Sequence, residues 1–195
     1  MRSTQKILSM AYLEEHRAKF DDLKVSLEAE NRDQLRLKSN GGNSILFTHP
    51  PQEEHLYLKK LEEIAIAESF ELIDIAHLLV EFIDLDGWAD FESYYNDFKD
   101  TPHIIFKSDG SEETDLMSLI IREIKKADSN GKTPVLVRTG SLIGTGIENL
   151  NIMEHKVVMT LKNPLVIFYP SKIKNDTLYF LNHKPASKYR CTVIK

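Results

Sequence analysis

The sequence predicts an α/β protein: an open, mostly parallel sheet with helices on both faces, Rossmann-like or P-loop-like without a Walker A loop. An N-terminal helix and a C-terminal antiparallel edge hairpin complete the expectation. Three observations lead to it. Short apolar runs of strand length alternate with segments of helical periodicity along most of the chain. The runs are almost continuously apolar, as strands buried on both faces are. No internal repeat or low-complexity linker interrupts the alternation, so residues 1–195 are expected to form a single domain.

From about Thr4 to Leu37 there is no Pro or Gly, and Ile7, Met10, Ala11, Phe20, Leu23, Leu27 and Leu35 fall mostly on one helical stripe. This predicts one long helix or two shorter ones, ended by Ser39-Asn40-Gly41-Gly42. Ser44 to His49 (SILFTH) is a strand closed by Pro50-Pro51, since Pro donates nothing to a sheet ladder. Glu53 to Ala67 is a helix, acidic in its first turn and apolar at Leu58, Leu61, Ile64 and Ala65. Phe70 to Ile75 is a second strand, followed directly by a helix from His77 to Ile83 that Asp86-Gly87 breaks.

Trp88 to Phe98 carries Trp88, Phe91, Tyr94, Tyr95 and Phe98 at helical spacing. An amphipathic helix packed on the core accounts for this pattern, and so does a partly exposed aromatic docking face. His103 to Lys107 (HIIFK) is too short for the pattern to assign. A helix follows from Thr114 to Ala127, after an acidic loop from Asp109 to Asp115 whose carboxylates favour the helix's positive end. Pro134 to Val137 is a third strand, Asn149 to Leu161 a helix, and Leu165 to Tyr169 a fourth strand closed by Pro170. Thr177 to Leu181 and Tyr189 to Ile194 are final strands, expected to extend one edge antiparallel.

The bulk composition narrows the function. Of 195 residues, 42% are hydrophobic and 28% charged, values of a globular protein. The net charge of −5 offers no general attraction for nucleic acid, so direct nucleic-acid contact is not expected. The single cysteine, Cys191, allows no internal disulfide, and it reads as a small strand hydrophobe rather than a nucleophile. Met1 to Tyr12 is polar, and no window approaches the roughly 20 apolar residues of a membrane span. A cytoplasmic protein without membrane contact is the expectation.

Ligands of open parallel sheets sit outside the carboxyl ends of the strands. That rule selects His49 to Pro51, Asp74, Tyr169-Pro170 and, most suggestively, the loop after the third strand. There Arg138, Thr139, Gly140, Ser141, Gly144, Thr145 and Gly146 offer glycines, hydroxyls and backbone N–H groups suited to an anion. The loop lacks the lysine of a Walker A motif, and Gly144-Thr145-Gly146 does not extend to GxGxxG. It reads either as a tight connection or as a ligand or partner contact. The seven histidines show no metal-ligand spacing, and Asp84 with Asp86 reads as a solvated turn, so neither metal nor cofactor is expected. Ser141 lies outside any GxSxG elbow. Lys172, Lys174, Lys184, Lys188 and Arg190, interleaved with aromatics, read as a nucleic-acid contact or as lysines guarding an edge hairpin.

The run NPLVIFYPSKIKNDTLYFLNHKPASKYRCTVI (Asn163 to Ile194) resembles the closing segment of the BrxB family of BREX phage-resistance systems. VLVRTGSLIGTG resembles that family's apolar strand and small-residue loop, and ILFTHPP its early strand ending in a proline pair. The likeness spans Ile45 to Ile194, making 44–195 a BrxB-like core behind a helical segment over 1–40. Ser171-Lys172 and Leu181-Asn182 depart from the family's glycine-containing turns. The resemblance implies a bacterial, non-enzymatic, antiviral protein-binding subunit working beside a methyltransferase, an ATPase and an alkaline-phosphatase-superfamily protein, PglZ, its expected direct partner. The residues themselves leave two alternatives, a nucleotide- or phosphate-binding regulator using Arg138 to Gly146, or a nucleic-acid-contacting subunit. Trp88, Phe91, Tyr94 and Tyr95 are the candidate partner-binding residues.

Overall fold

Five parallel strands run through the centre of the molecule: β1 (Ser44–His49), β2 (Phe70–Asp74), β3 (Thr133–Val137), the first part of β4 (Leu165–Lys174), and β7 (Cys191–Ile194). Their order across the sheet is β2-β3-β4-β1-β7. In this computed structural model the described residues are 2–107 and 115–195, with side chains described from residue 14 onward, Ala29 excepted. The expected acidic loop from Asp109 and the expected helix start at Thr114 therefore lie outside the described residues, apart from Asp115. The side chains of Ile7, Met10 and Ala11 lie outside them too.

The helices divide between the faces. α1 (Arg2–Leu27), α2 (Arg32–Lys38) and α3 (Glu54–Ala65) cover one face. Phe20, Leu23, Leu35, Tyr57 and Leu61 pack there on Ile45, Phe47, Val135, Val137, Val166 and Phe168. The N-terminal segment is thus two helices, separated by a 3-10 turn at Ala29–Asn31. The other face carries α4 (Ile75–Asp84), α6 (Pro102–Phe106), α7 (Leu116–Ser129), α8 (Asn149–Met153) and α9 (Lys156–Met159). They pack on Leu46, Leu136, Leu165, Ile167 and Tyr169. Alternate residues of β1, β3 and β4 feed opposite clusters, as the two-residue strand period requires. α5 (Trp88–Phe98) belongs to neither layer. It lies outside, against α4 and α6, and none of its residues is buried.

Capping explains several boundaries. Asp74 ends β2 and accepts the N–H groups of Ala76 (3.0 Å) and His77 (3.2 Å), opening α4 with no intervening loop. Asp115 and Ser118 form a reciprocal capping box at the start of α7.

Three expectations change, and one unassigned segment is placed. The helix expected over Asn149 to Leu161 is two short helices, because the Nδ1 of His155 accepts the Val157 N–H and starts a new helix mid-segment. HIIFK belongs to helix α6, with Ile105 and Phe106 buried. Pro170 does not close β4: the strand continues through it, leaves the parallel sheet and pairs antiparallel with β5 (Thr177–Phe180). A Pro lacks only the donor, and its carbonyl still accepts the Leu181 N–H at 2.8 Å. The antiparallel hairpin is completed by β6 (Lys184–Ala186), whereas the final strand runs parallel to β1 at the sheet edge. No helix among the described residues is long and apolar enough to cross a membrane.

Candidate functional site

The chain passes from β1 to the far edge at β2, returns through β3 and β4, then passes β1 to reach β7, so the crevice between β1 and β4 is the topological switch point. At a phosphate site the turn after β1 would offer glycines and free N–H groups to the ligand. Here it is Pro50-Pro51, followed by Glu53 and Glu54 at the start of α3. Carboxylates of the chain itself occupy the positive end of that helix and repel an incoming anion. Glu54 is half-buried, and burial, reinforced by Asp74 against the opposing pull of Arg138, raises its pKa above the usual carboxylate range.

The glycine loop lies two strands away and is largely bound to itself. Arg138 takes a left-handed backbone (φ 53°) and donates from Nη1 to the Asp74 carboxylate at 2.7 Å. Thr139 is buried and its Oγ1 donates to the Phe168 carbonyl at 2.7 Å, tying the end of β3 to β4. Ser141, Ile143 and Thr145 donate their N–H groups to the carbonyls of Arg138, Gly140 and Leu142, each at 3.1 Å. Thr145 Oγ1 donates to Leu142 and accepts from the Ile147 N–H. Gly140 faces Leu181 and Pro170, and Gly144 and Gly146 both hold positive φ. The predicted residues are brought together, but in a knot of internal bonds rather than a ring of donors around an empty centre. This geometry favours the tight connection over the anion cradle.

A buried polar group that the motifs do not announce sits where α1 crosses the end of β1. Lys19 is 6% exposed; its Nζ donates to the Thr48 carbonyl at 2.7 Å and lies 5.0 Å from the centre of the Tyr57 ring. Burial lowers its pKa. His16 stacks on Tyr57 at 3.9 Å, with Glu53 at 3.7 Å. His49 is 1% exposed, and burial, with Lys19 acting in the same direction, pushes its pKa down to about 4. The sequence carries one faint signal for this group. His16 and Lys19 fall on the stripe of Phe20 and Leu23, which a solvated charge would avoid.

The aromatic candidates are placed very differently. Phe91 alone turns inward, contacting Phe82 and Phe106, each at 6.1 Å between ring centres. Trp88 is 62% exposed, Tyr94 42% and Tyr95 39%. Phe98 and, on α6, Ile104 extend the apolar surface. The basic C-terminal residues are mostly paired instead: Lys184 with Glu148, Lys188 with Asp176 and Arg190 with Glu154. Pairing within the fold removes much of the positive field a nucleic acid would need. Among the described residues, no group of three or more His, Cys, Asp or Glu side chains is placed to hold a metal ion. No family model, no curated protein and no solved structure matches the chain.

Proposed function

We propose that this chain is a non-catalytic interaction subunit of a BREX-type phage-defence system, and that the outer face of α5 docks its alkaline-phosphatase-like PglZ partner. The defence assignment rests on the BrxB resemblance of Ile45 to Ile194. The observation that supports a binding role is α5 itself, a helix bearing five aromatics of which only Phe91 turns toward the core. Exposed aromatics clustered on one element mark a surface that gains by being covered, and tryptophan and tyrosine dominate the binding energy of such surfaces.

The test is affinity capture with the tagged full chain against each subunit encoded beside it. Retention of the PglZ-like subunit by the native chain, and its loss with Trp88→Ala combined with Tyr94→Ala, is the expected result. Failure to retain any of those subunits, or equal retention by the double variant, would overturn the reading.

A further inference from the structure

One acidic stretch of the chain is carried on an exposed helix. Between Asp84 and Asp100 lie six carboxylates (Asp84, Asp86, Asp90, Glu92, Asp97, Asp100) and one lysine, a net of −5. The whole chain also carries −5, so the remainder holds 24 basic and 24 acidic side chains and is neutral. This segment is α5 with its two flanking turns and the last residue of α4. All six residues are exposed, and none forms an ion pair among the described residues, whereas the exposed carboxylates Glu148, Glu154 and Asp176 do. At 3.6 residues per turn, Trp88, Phe91, Tyr94, Tyr95 and Phe98 share one arc of the helix, with Glu92 beside Trp88 and Asp90 beside Tyr94 at its margins. The exposed aromatics are therefore bordered by unneutralised carboxylates.

We infer that the α5 face is built for a basic protein surface rich in arginine, and that it reads its partner by charge at the rim and by guanidinium stacking on Trp88, Tyr94 and Tyr95. This deepens the proposed function and rests on its assignment of α5 as the docking face. Arginine suits both parts of the surface. Its planar guanidinium stacks on aromatic faces and pairs with carboxylates through a fork of donors. The same charge argues against the other occupants. A second copy of this chain would bring six more carboxylates against the first six, and nucleic acid or an anionic membrane would meet the same repulsion.

Trp88 is the only tryptophan of the chain, so its fluorescence reports this face alone. The probe is an amphipathic peptide alternating arginine and leucine, titrated into the full chain beside a twin with glutamate in place of arginine. The arginine peptide is expected to shift Trp88 emission saturably and the glutamate twin to leave it unchanged. Asp90→Asn, Glu92→Gln and Asp97→Asn together should weaken binding about ten-fold, roughly two-fold per exposed charge. Three neutralisations on the opposite face (Asp22→Asn, Asp33→Asn, Glu62→Gln) should leave it within two-fold of native, by the same reasoning of about nil effect for distant screened charges. Equal responses to both peptides, or equal losses in both triple variants, would overturn the inference.

The two proposals fail separately. A PglZ-like subunit captured with an affinity indifferent to salt and to the α5 triple variant overturns the basic partner and leaves the interaction role standing. Arginine-peptide binding as expected, with none of the neighbouring subunits captured, removes the defence role and leaves the surface chemistry standing.

Discussion

His49 shows how a single buried ring couples the fold to pH. Its imidazole lies between Tyr57 and Phe168, with Nδ1 3.2 Å from the Pro50 carbonyl. The unfolded chain binds this proton with a pKa near 6.5, the folded chain only near 4. Between those values the unfolded state holds more protons, so stability rises with pH across the window and is lost as pH falls from 6.5 toward 4. The full difference is worth about 3 kcal/mol. His16, also lowered by burial, steepens the same acid limb. Urea unfolding midpoints measured through this range should fall with acid in the native protein and clearly less in His49→Phe. A variant with an unchanged acid limb would show that another group titrates. Two glycines give a second residue-scale contrast. A Cβ on Gly146 would stand 2.9 Å from the His103 Cβ, at φ +76°, whereas one on Gly144, at φ +84°, meets nothing within 4 Å. Gly144→Ala should cost only the backbone strain, about 1 kcal/mol, and Gly146→Ala about 2–3 kcal/mol because the clash is added. Chemical denaturation separates the two, and equal losses would mean that His103 yields freely.

At the scale of the element, α5 is where sequence and structure part most instructively. Five aromatics at helical spacing describe a core stripe and a docking face equally well, because periodicity records that a helix has an apolar side and not what covers it. What decides is tertiary: α5 rests on α4 and α6 and buries none of its own residues, and only Phe91 packs against the core. Phe91→Ala should therefore destabilise the protein by about 2 kcal/mol, while Trp88→Ser should change stability by no more than about 0.5 kcal/mol. Thermal or urea unfolding checks both, and a large loss in Trp88→Ser would return α5 to the core. Elsewhere legibility followed burial. β1, β3 and β4 were readable as apolar runs because both faces bury them, and Asp86-Gly87 marked the end of α4. The break inside Asn149 to Leu161 was not readable, since it depends on the His155 ring turning back to cap Val157. Nor was the direction of β7, which depends on which edge of the sheet is open when the chain returns. The glycine loop was legible as a set of left-handed positions. That the Thr139 and Thr145 hydroxyls are used on Phe168 and Leu142, and the N–H groups of Ser141, Ile143 and Thr145 on the loop's own carbonyls, is a matter of partners no spacing rule names.

For the whole molecule, the decisive feature is that one sheet joins two clusters. Ile45 and Phe47 belong to the core beneath α1 and α3, and Leu46 between them to the core beneath α7. β7 repeats the pattern at the edge, with Cys191 in one cluster and Ile194 in the other. It is also tied by Thr48, whose Oγ1 donates to the Ile194 carbonyl at 2.8 Å, and by Thr192 at 3.1 Å from the Ser39 hydroxyl. Freeing β7 therefore opens both faces, and the chain should unfold as one cooperative unit even though, among the described residues, β7 is paired with β1 alone. Cys191 measures this directly. It is the single thiol, 7% exposed, its Sγ donates to the Lys188 carbonyl, and burial pushes its pKa up to about 12. The thiolate needed for alkylation is thus scarce in the folded state, and labelling near neutral pH waits for opening. The free energy of opening from labelling rates in dilute urea should equal the global value from circular dichroism within about 1 kcal/mol. A labelling value lower by more than about 2 kcal/mol would show β7 fraying alone, and the two clusters would then be coupled through β1 and β4 without it.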